Sequence, residues 1–178
     1  MGYVKGRLLI SKEEIEEKVK ELGAQICRDY KDKKVIFVCV LKGAVVFYTD
    51  LLRAIGDKVD ARFDFLAISS YGASTKSSGI VKIQKDLSTD IHGENVIIVE
   101  DILDSGLSLS YISNLLRDRS PKSLEICVLF DKKERRVRPV DVKYCGFTIP
   151  DEFIIGYGLD CAEQFRSLDA VYIAEPEE

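Results

Sequence analysis

The run Val35–Leu41 (VIFVCVL) is apolar at every position and has the length of one strand. A strand with one wet face alternates apolar and polar side chains, so an unbroken run belongs to a strand covered on both faces, as in a parallel sheet. Val96–Val99 (VIIV) and Leu124–Phe130 (LEICVLF) carry much the same signature. Helical segments lie between these runs. Ser11 and Glu14 form a capping box, and Ile15, Val19, Leu22 and Ile26 follow at helical spacing, which predicts an amphipathic helix over 12–29. Gly43 ends the first run, and a helix is expected over 44–55. A glycine-bearing turn after Glu100-Asp101 opens another, which runs to about Arg119 before Pro121 closes it. Residues 62–69, 80–86 and 171–174 read as further strands. Strands alternating with helices predict an α/β domain, doubly wound, with a mainly parallel sheet flanked by helices. Ligands in such sheets bind outside the carboxyl ends of the strands, so the segments that follow the buried runs are the places to search.

Composition narrows the chemistry. A chain of 178 residues fits a single domain, 1–178, with a core large enough to need no disulfide or metal. No apolar run approaches the roughly 20 residues of a bilayer span, and the N-terminal stretch lacks the apolar core of a signal peptide. Cys27, Cys39, Cys127, Cys145 and Cys161 are odd in number and form no CxxC pair, which reads as reduced thiols in a cytoplasmic protein. A net charge of −4 argues against broad nucleic-acid binding. It also requires that an anionic substrate be held by a local device. The single histidine, His92, excludes a multi-histidine zinc site, and its setting in DIHGEN reads as a solvated turn. Residues 70–79 (SYGASTKSSG) are small, polar and glycine-bounded, the composition of a mobile loop.

The segment Val99–Ser108 (VEDILDSGLS) is the most informative. Glu100, Asp101 and Asp104 crowd the end of a buried strand, and Ser105, Gly106 and Ser108 open a helix. Crowded carboxylates repel unless a cation or sugar hydroxyls sit among them. Backbone N–H groups at a glycine turn opening a helix favour a phosphate. A ribose 5-phosphate has that polarity. The plainer alternative makes Glu100 and Asp101 an exposed strand end and Ser105-Gly106 an ordinary helix cap. No G-x4-G-K-[ST] phosphate loop is present, and Gly156-Tyr157-Gly158 lacks the third glycine of a dinucleotide fingerprint, Cys161 standing in its place.

VIIVEDILDSGLSL closely resembles the phosphoribosyl-pyrophosphate motif of the type I phosphoribosyltransferases. Four further segments resemble one branch of that family, the bacterial-type hypoxanthine–guanine phosphoribosyltransferases: Leu41–Ala44, Ser69–Gly72, Asp131-Lys132 and Gly146–Asp160. The resemblance runs from about residue 8 to 174 in the family's order and spacing. It implies the type I fold, with a core over about 30–140 and a small hood built from the terminal segments, about 1–12 and 141–178.

It also implies roles. Glu100 and Asp101 hold the ribose hydroxyls and face Mg2+, which prefers oxygen ligands and bridges substrate phosphates, so that few protein ligands are needed. Asp160 reaches a second Mg2+ and the base through water, Asp104 is the base at purine N7, and Asp104, Ser105, Gly106, Leu107 and Ser108 form the phosphate loop. Leu41, Lys42, Gly43 and Arg166 contact pyrophosphate, with a non-proline cis peptide between the first two. Lys132 donates to the 6-oxo group, a role open to a side chain that can only donate. Phe153 stacks on the purine, the Ile154 backbone reads its edge, and Ser70 and Tyr71 begin a catalytic lid. Without the resemblance, Lys42 reads as a solvated strand end, Phe153 and Ile154 as core, and Lys132 as part of the solvated run DKKERRVR. Lys133, Arg135, Arg136 and Arg138 are read as that solvated run, with contact to a neighbouring subunit left open. Cys161 departs from the aromatic residue common at its position, and Ser105 from threonine.

The implied activity is purine salvage. The 5-phosphoribosyl group moves from phosphoribosyl pyrophosphate to N9 of hypoxanthine or guanine, giving IMP or GMP and pyrophosphate. The implied partners are that sugar and 6-oxopurine bases, with no nucleic acid and no membrane, in a homodimer or homotetramer. The alternatives are a xanthine-preferring transferase and a non-catalytic nucleic-acid-binding regulator on the same fold.

Overall fold

The computed structural model of the protein describes residues 2–70 and 81–177. Its elements run β1 (Tyr3–Ile10), α1 (Lys12–Asp29), β2 (Lys34–Leu41), α2 (Val45–Ile55), β3 (Asp60–Ser70), β4 (Val81–Lys85), β5 (Asn95–Leu103), α3 (Leu107–Arg117), β6 (Ser123–Asp131), β7 (Tyr144–Thr148), β8 (Ile154–Ile155) and β9 (Val171–Pro176). A six-stranded sheet has the order β4-β3-β2-β5-β6-β7. Its strands are parallel except β4, which returns antiparallel on β3. The strand order reverses between β2 and β5, so their carboxyl ends flank the crevice where such sheets take ligands.

The unbroken apolar runs are explained by this arrangement. Side chains alternate along a strand. Val35, Phe37 and Cys39 join Ile97, Val99, Cys127 and Leu129 beneath α1 and α2, which contribute Ile15, Val19, Leu22, Ile26, Phe47 and Leu51. Ile36, Val38 and Val40 join Val96, Ile98, Ile126 and Val128 on the other face, under Leu109, Ile112 and Leu116 of α3. The predicted capping box is in place: Glu14 N donates to Ser11 Oγ at 3.2 Å and Ser11 N to Glu14 Oε2 at 2.8 Å. His92 is exposed in a turn, as expected.

Two features differ from the sequence reading. β5 continues past Val99 to Leu103, because its ladder with β6 runs on through Glu100↔Val128 and Leu103↔Asp131. Glu100 and Asp101 are therefore held inside the strand rather than at its end, and Asp104 follows directly after it. Residues 3–10, which carry no assigned strand in the sequence reading, form β1 and pair antiparallel with β9, which in turn pairs with β8. This second sheet, β1-β9-β8, draws on both ends of the chain.

Asp64 locks the β3 edge. It is 2% exposed and accepts from the amides of Phe65 (2.8 Å), Ser88 (2.9 Å) and Thr89 (2.8 Å), with Lys85 Nζ at 3.6 Å. Burial alone would raise its carboxyl, but those amide donors outweigh burial and hold it below its ordinary value. A depressed folded-state pKa gives stability that is present above the unfolded value of about 4 and is lost as pH falls through the folded one. Asp64→Asn turns an NH2 group toward amide donors. It should cost about 2–4 kcal/mol at neutral pH, with the gap to wild type closing as pH falls through the lowered folded-state value of Asp64. Urea unfolding across pH measures this, and a gap that does not depend on pH contradicts it.

Candidate active site

Four segments meet where β2, β5 and β6 end. The first is the acid pair of β5. Asp101 is 7% exposed, its Oδ1 accepts from the Ile102 amide at 2.8 Å, and its other oxygen lies so close to Gly43 that a Cβ there would overlap it. Glu100 is half-buried beside it. Burial, then the neighbouring Asp101 carboxylate, pushes the Glu100 carboxyl well up, and burial raises Asp101 as well. Two carboxylates crowded side by side repel, and a cation or hydroxyl donors between them relieve that repulsion. Cys39, behind the pair, has its thiol pushed up to about 12 by burial and the two acids, so it is inert as a nucleophile.

The second segment is the turn into α3. Gly106 caps the helix at φ +81°, and a Cβ there would overlap the Arg138 carbonyl oxygen. The first intrahelical bond is Ser110 N to Gly106 O at 2.9 Å, which leaves the first-turn N–H groups of Leu107 and Ser108 without helical acceptors. The Leu107 amide makes only a long 3.4 Å contact to Ser105 Oγ. Glu100, Asp101, Asp104, Ser105, Gly106 and Ser108 all line one cavity of about 350 Å3. Asp104 Oδ1 is buried with no hydrogen-bond partner among the described residues, although Arg135 Nε stands 3.6 Å away. An acceptor left unsatisfied at a cavity wall is a place for a donor from a ligand.

The third segment follows β6. Lys132 is 4% exposed, and its ammonium has no hydrogen-bond or ion-pair partner among the described residues. The expectation of a solvated run holds for Arg135, which is exposed, and is corrected for Arg136. Arg136 is largely buried, pairs with Asp131, and donates from Nε to the Asp104 carbonyl at 3.0 Å. The amides of Val137 and Arg138 both donate to the Ser105 carbonyl, at 2.9 and 3.0 Å. Arg135 lies 3.6 Å from both Asp104 Oδ1 and Asp151 Oδ1. Arg136, Val137 and Arg138 form the wall behind the turn into α3. A charge run looks alike in sequence whether it is solvated or folded against a loop, so the residue types carried no signal.

The fourth segment is 153–166 together with Leu41–Gly43. The Leu41–Lys42 peptide is cis. A Cβ at Gly158 would overlap the Gly43 carbonyl oxygen, so the two turns are in contact. Arg166 donates to the Gly158 carbonyl at 2.8 Å and pairs with Asp160 at 2.8 Å. Lys42 Nζ lies 3.1 Å from Glu163, a residue the sequence reading did not single out. Lys42 first, then Arg166, holds the Glu163 carboxyl below the ordinary range. Ile154 is buried in the core, whereas Phe153 is 44% exposed, edge-on to Tyr3 at 5.0 Å. No hydrogen bond or ion pair among the described residues joins Phe153 or Ile154 to Lys132. Ser70 is the last residue of β3, and Tyr71 lies outside the described residues.

The donor set fits magnesium. Among the described residues no group of three or more His, Cys, Asp or Glu is arranged to cage a metal, and magnesium at phosphate sites needs only one or two carboxylates with the phosphates themselves. Glu100 and Asp101 supply such a pair.

Residues 10–162 match the family model described as the phosphoribosyl transferase domain. The hypoxanthine-guanine phosphoribosyltransferase of Bacillus subtilis is 46% identical over 170 residues, covering 96% of this chain and 93% of its own. That of Dictyostelium discoideum is 49% identical over 173 residues, covering 96% of this chain and 95% of its own. The crystal structure of a hypoxanthine phosphoribosyltransferase from Staphylococcus aureus superposes with a TM-score of 0.92 at 42% identity, over 97% of this chain and 92% of that one.

Proposed function

We infer, from the premise that this chain belongs to the phosphoribosyl transferase family and to its hypoxanthine–guanine branch, a purine-salvage enzyme. It transfers the 5-phosphoribosyl group from phosphoribosyl pyrophosphate to N9 of hypoxanthine or guanine. The observation that supports the residue roles is one cavity that joins the acid pair of β5 to the amide-lined turn into α3, with Lys132 next to it through its amide bond to the Leu103 carbonyl at 3.0 Å.

In this reading the amides of 105–108 and the hydroxyls of Ser105 and Ser108 hold the 5′-phosphate. Glu100 and Asp101 take the ribose hydroxyls and would hold one magnesium, while Asp160 would reach a second. Magnesium, when bound, neutralises the departing pyrophosphate. Lys42, Arg166 and the amides of Lys42 and Gly43, at the turn that Leu41 opens, bind the same pyrophosphate. Lys132 donates to the 6-oxo group, which disfavours a 6-amino purine. Phe153 stacks on the base. Asp104 Oδ1 accepts the N7 proton as N9 attacks C1′.

A spectrophotometric assay with hypoxanthine, guanine, xanthine and adenine, with and without magnesium, tests this. Turnover is expected with the first two bases and magnesium, and none with adenine. Turnover only with xanthine would replace the substrate reading. Tight nucleic-acid binding without transfer would replace the activity. We also propose a homo-oligomer, supported by an apolar groove of about 340 Å3 between α2 and β3 that leaves Phe63 58% exposed. Light scattering that returns the mass of one chain contradicts it.

A further inference from the structure

The two cations assigned to pyrophosphate already share an anion. Glu163 Oε2 lies 3.1 Å from Lys42 Nζ and Oε1 lies 3.4 Å from Arg166 Nη2. One carboxylate thus spans both cations with an oxygen on each. Its backbone is fixed as well, because the Glu163 amide donates to Asp160 Oδ2 at 2.8 Å, while the other Asp160 oxygen pairs with Arg166 at 2.8 Å. Ala162, Glu163 and Phe165 have φ of +50°, +64° and +74°, a left-handed region that residues with a Cβ avoid. Strained backbone of this kind collects where the placing of a side chain matters. Stability does not account for it: the Lys42 and Glu163 side chains are 69% and 64% exposed, and exposed ion pairs add little to folding.

We propose that Glu163 is a built-in stand-in for pyrophosphate: its carboxylate bridges Lys42 and Arg166 in the free protein and yields both to the incoming polyanion. This rests on the transferase reading of the same site. A carboxylate offers each cation one oxygen and one charge in total. Pyrophosphate offers several oxygens and more charge to the same donors, so its charge-assisted bonds win. Arg166 keeps its bond to the Gly158 carbonyl at 2.8 Å during the exchange, so it stays aimed. Glu163 has only to turn into solvent. The exchange lowers net affinity for pyrophosphate, which favours its release as product.

The test is calorimetric titration of wild type, Glu163→Gln, Lys42→Ala and the double variant with inorganic pyrophosphate and magnesium, at low and high salt. Glu163→Gln is expected to bind about three- to fivefold more tightly, as loss of a rim-exposed competing charge allows. The gain should shrink at high salt and be smaller when Lys42 is already alanine. A residue that merely shapes the loop would weaken binding when changed, so the sign of the effect is diagnostic. Unchanged or weaker binding by Glu163→Gln, where Lys42→Ala does weaken binding, overturns the proposal alone. Failure of wild type to bind pyrophosphate, or indifference to Lys42→Ala, overturns the reading of the site and the proposal with it. Glu163→Ala, read beside a melting curve, repeats the test if the glutamine variant misfolds.

Discussion

Asp104→Asn is expected to lower kcat by about a hundred- to ten-thousandfold, the usual contribution of a positioned general base, while affinity for phosphoribosyl pyrophosphate stays near that of wild type. The two halves of this result have separate physical origins. In the proposed function the backbone amides of the turn into α3 and the acid pair hold the sugar phosphate, and the substitution removes none of them. What changes is one oxygen. Asp104 Oδ1 is buried at the cavity wall with no hydrogen-bond partner among the described residues, Arg135 Nε standing 3.6 Å away. Asparagine can place an oxygen there that accepts a hydrogen bond from N7–H, but it cannot take the proton. Rapid-quench kinetics with a direct binding measurement separate the halves. Near-normal turnover would remove Asp104 from the mechanism. Weakened sugar binding with normal turnover would make it a scaffold of the loop.

Gly106→Ala should be nearly as damaging for a different reason. The glycine sits at φ +81°, and a Cβ there would strike the Arg138 carbonyl oxygen, a backbone atom with little room to move. The backbone conformation alone costs a non-glycine residue roughly 1 kcal/mol or more. Relieving the overlap separates the turn from the wall, where Val137 and Arg138 bond to the Ser105 carbonyl. Affinity for the 5′-phosphate should fall by at least about a hundredfold, since several amide donors lose their aim together. Titration with IMP measures this. Wild-type affinity in a folded Gly106→Ala protein would mean that the phosphate does not lie in the turn.

The fold was legible because burial leaves a one-dimensional trace. Val35–Leu41 has no polar position, and only a strand between two helical layers tolerates that. Ser11 and Glu14 mark the start of α1 because capping is local. The extent of β5 was not legible: Glu100 and Asp101 look like a strand's end, and only the ladder to β6 keeps them inside. β1 escaped notice because its partner β9 lies at the far end of the chain. In the site, the turn at 104–108 announced itself through the order acid, hydroxyl, glycine, hydroxyl. Arg136 and Glu163 did not, because their roles come from what they touch. Arg136 lies against the Asp104 carbonyl, and Glu163 against Lys42 from a distant turn. Neither residue type at either spacing has a local meaning.

The central claim is that the turn into α3 cradles a nucleotide phosphate while the acid pair of β5 faces its sugar. A crystal structure with IMP and magnesium tests this most directly. The account predicts the 5′-phosphate on the amides of 105–108, the ribose hydroxyls at Glu100 and Asp101, and the purine 6-oxo group at Lys132 Nζ. A monophosphate bound elsewhere, with the turn empty, contradicts it.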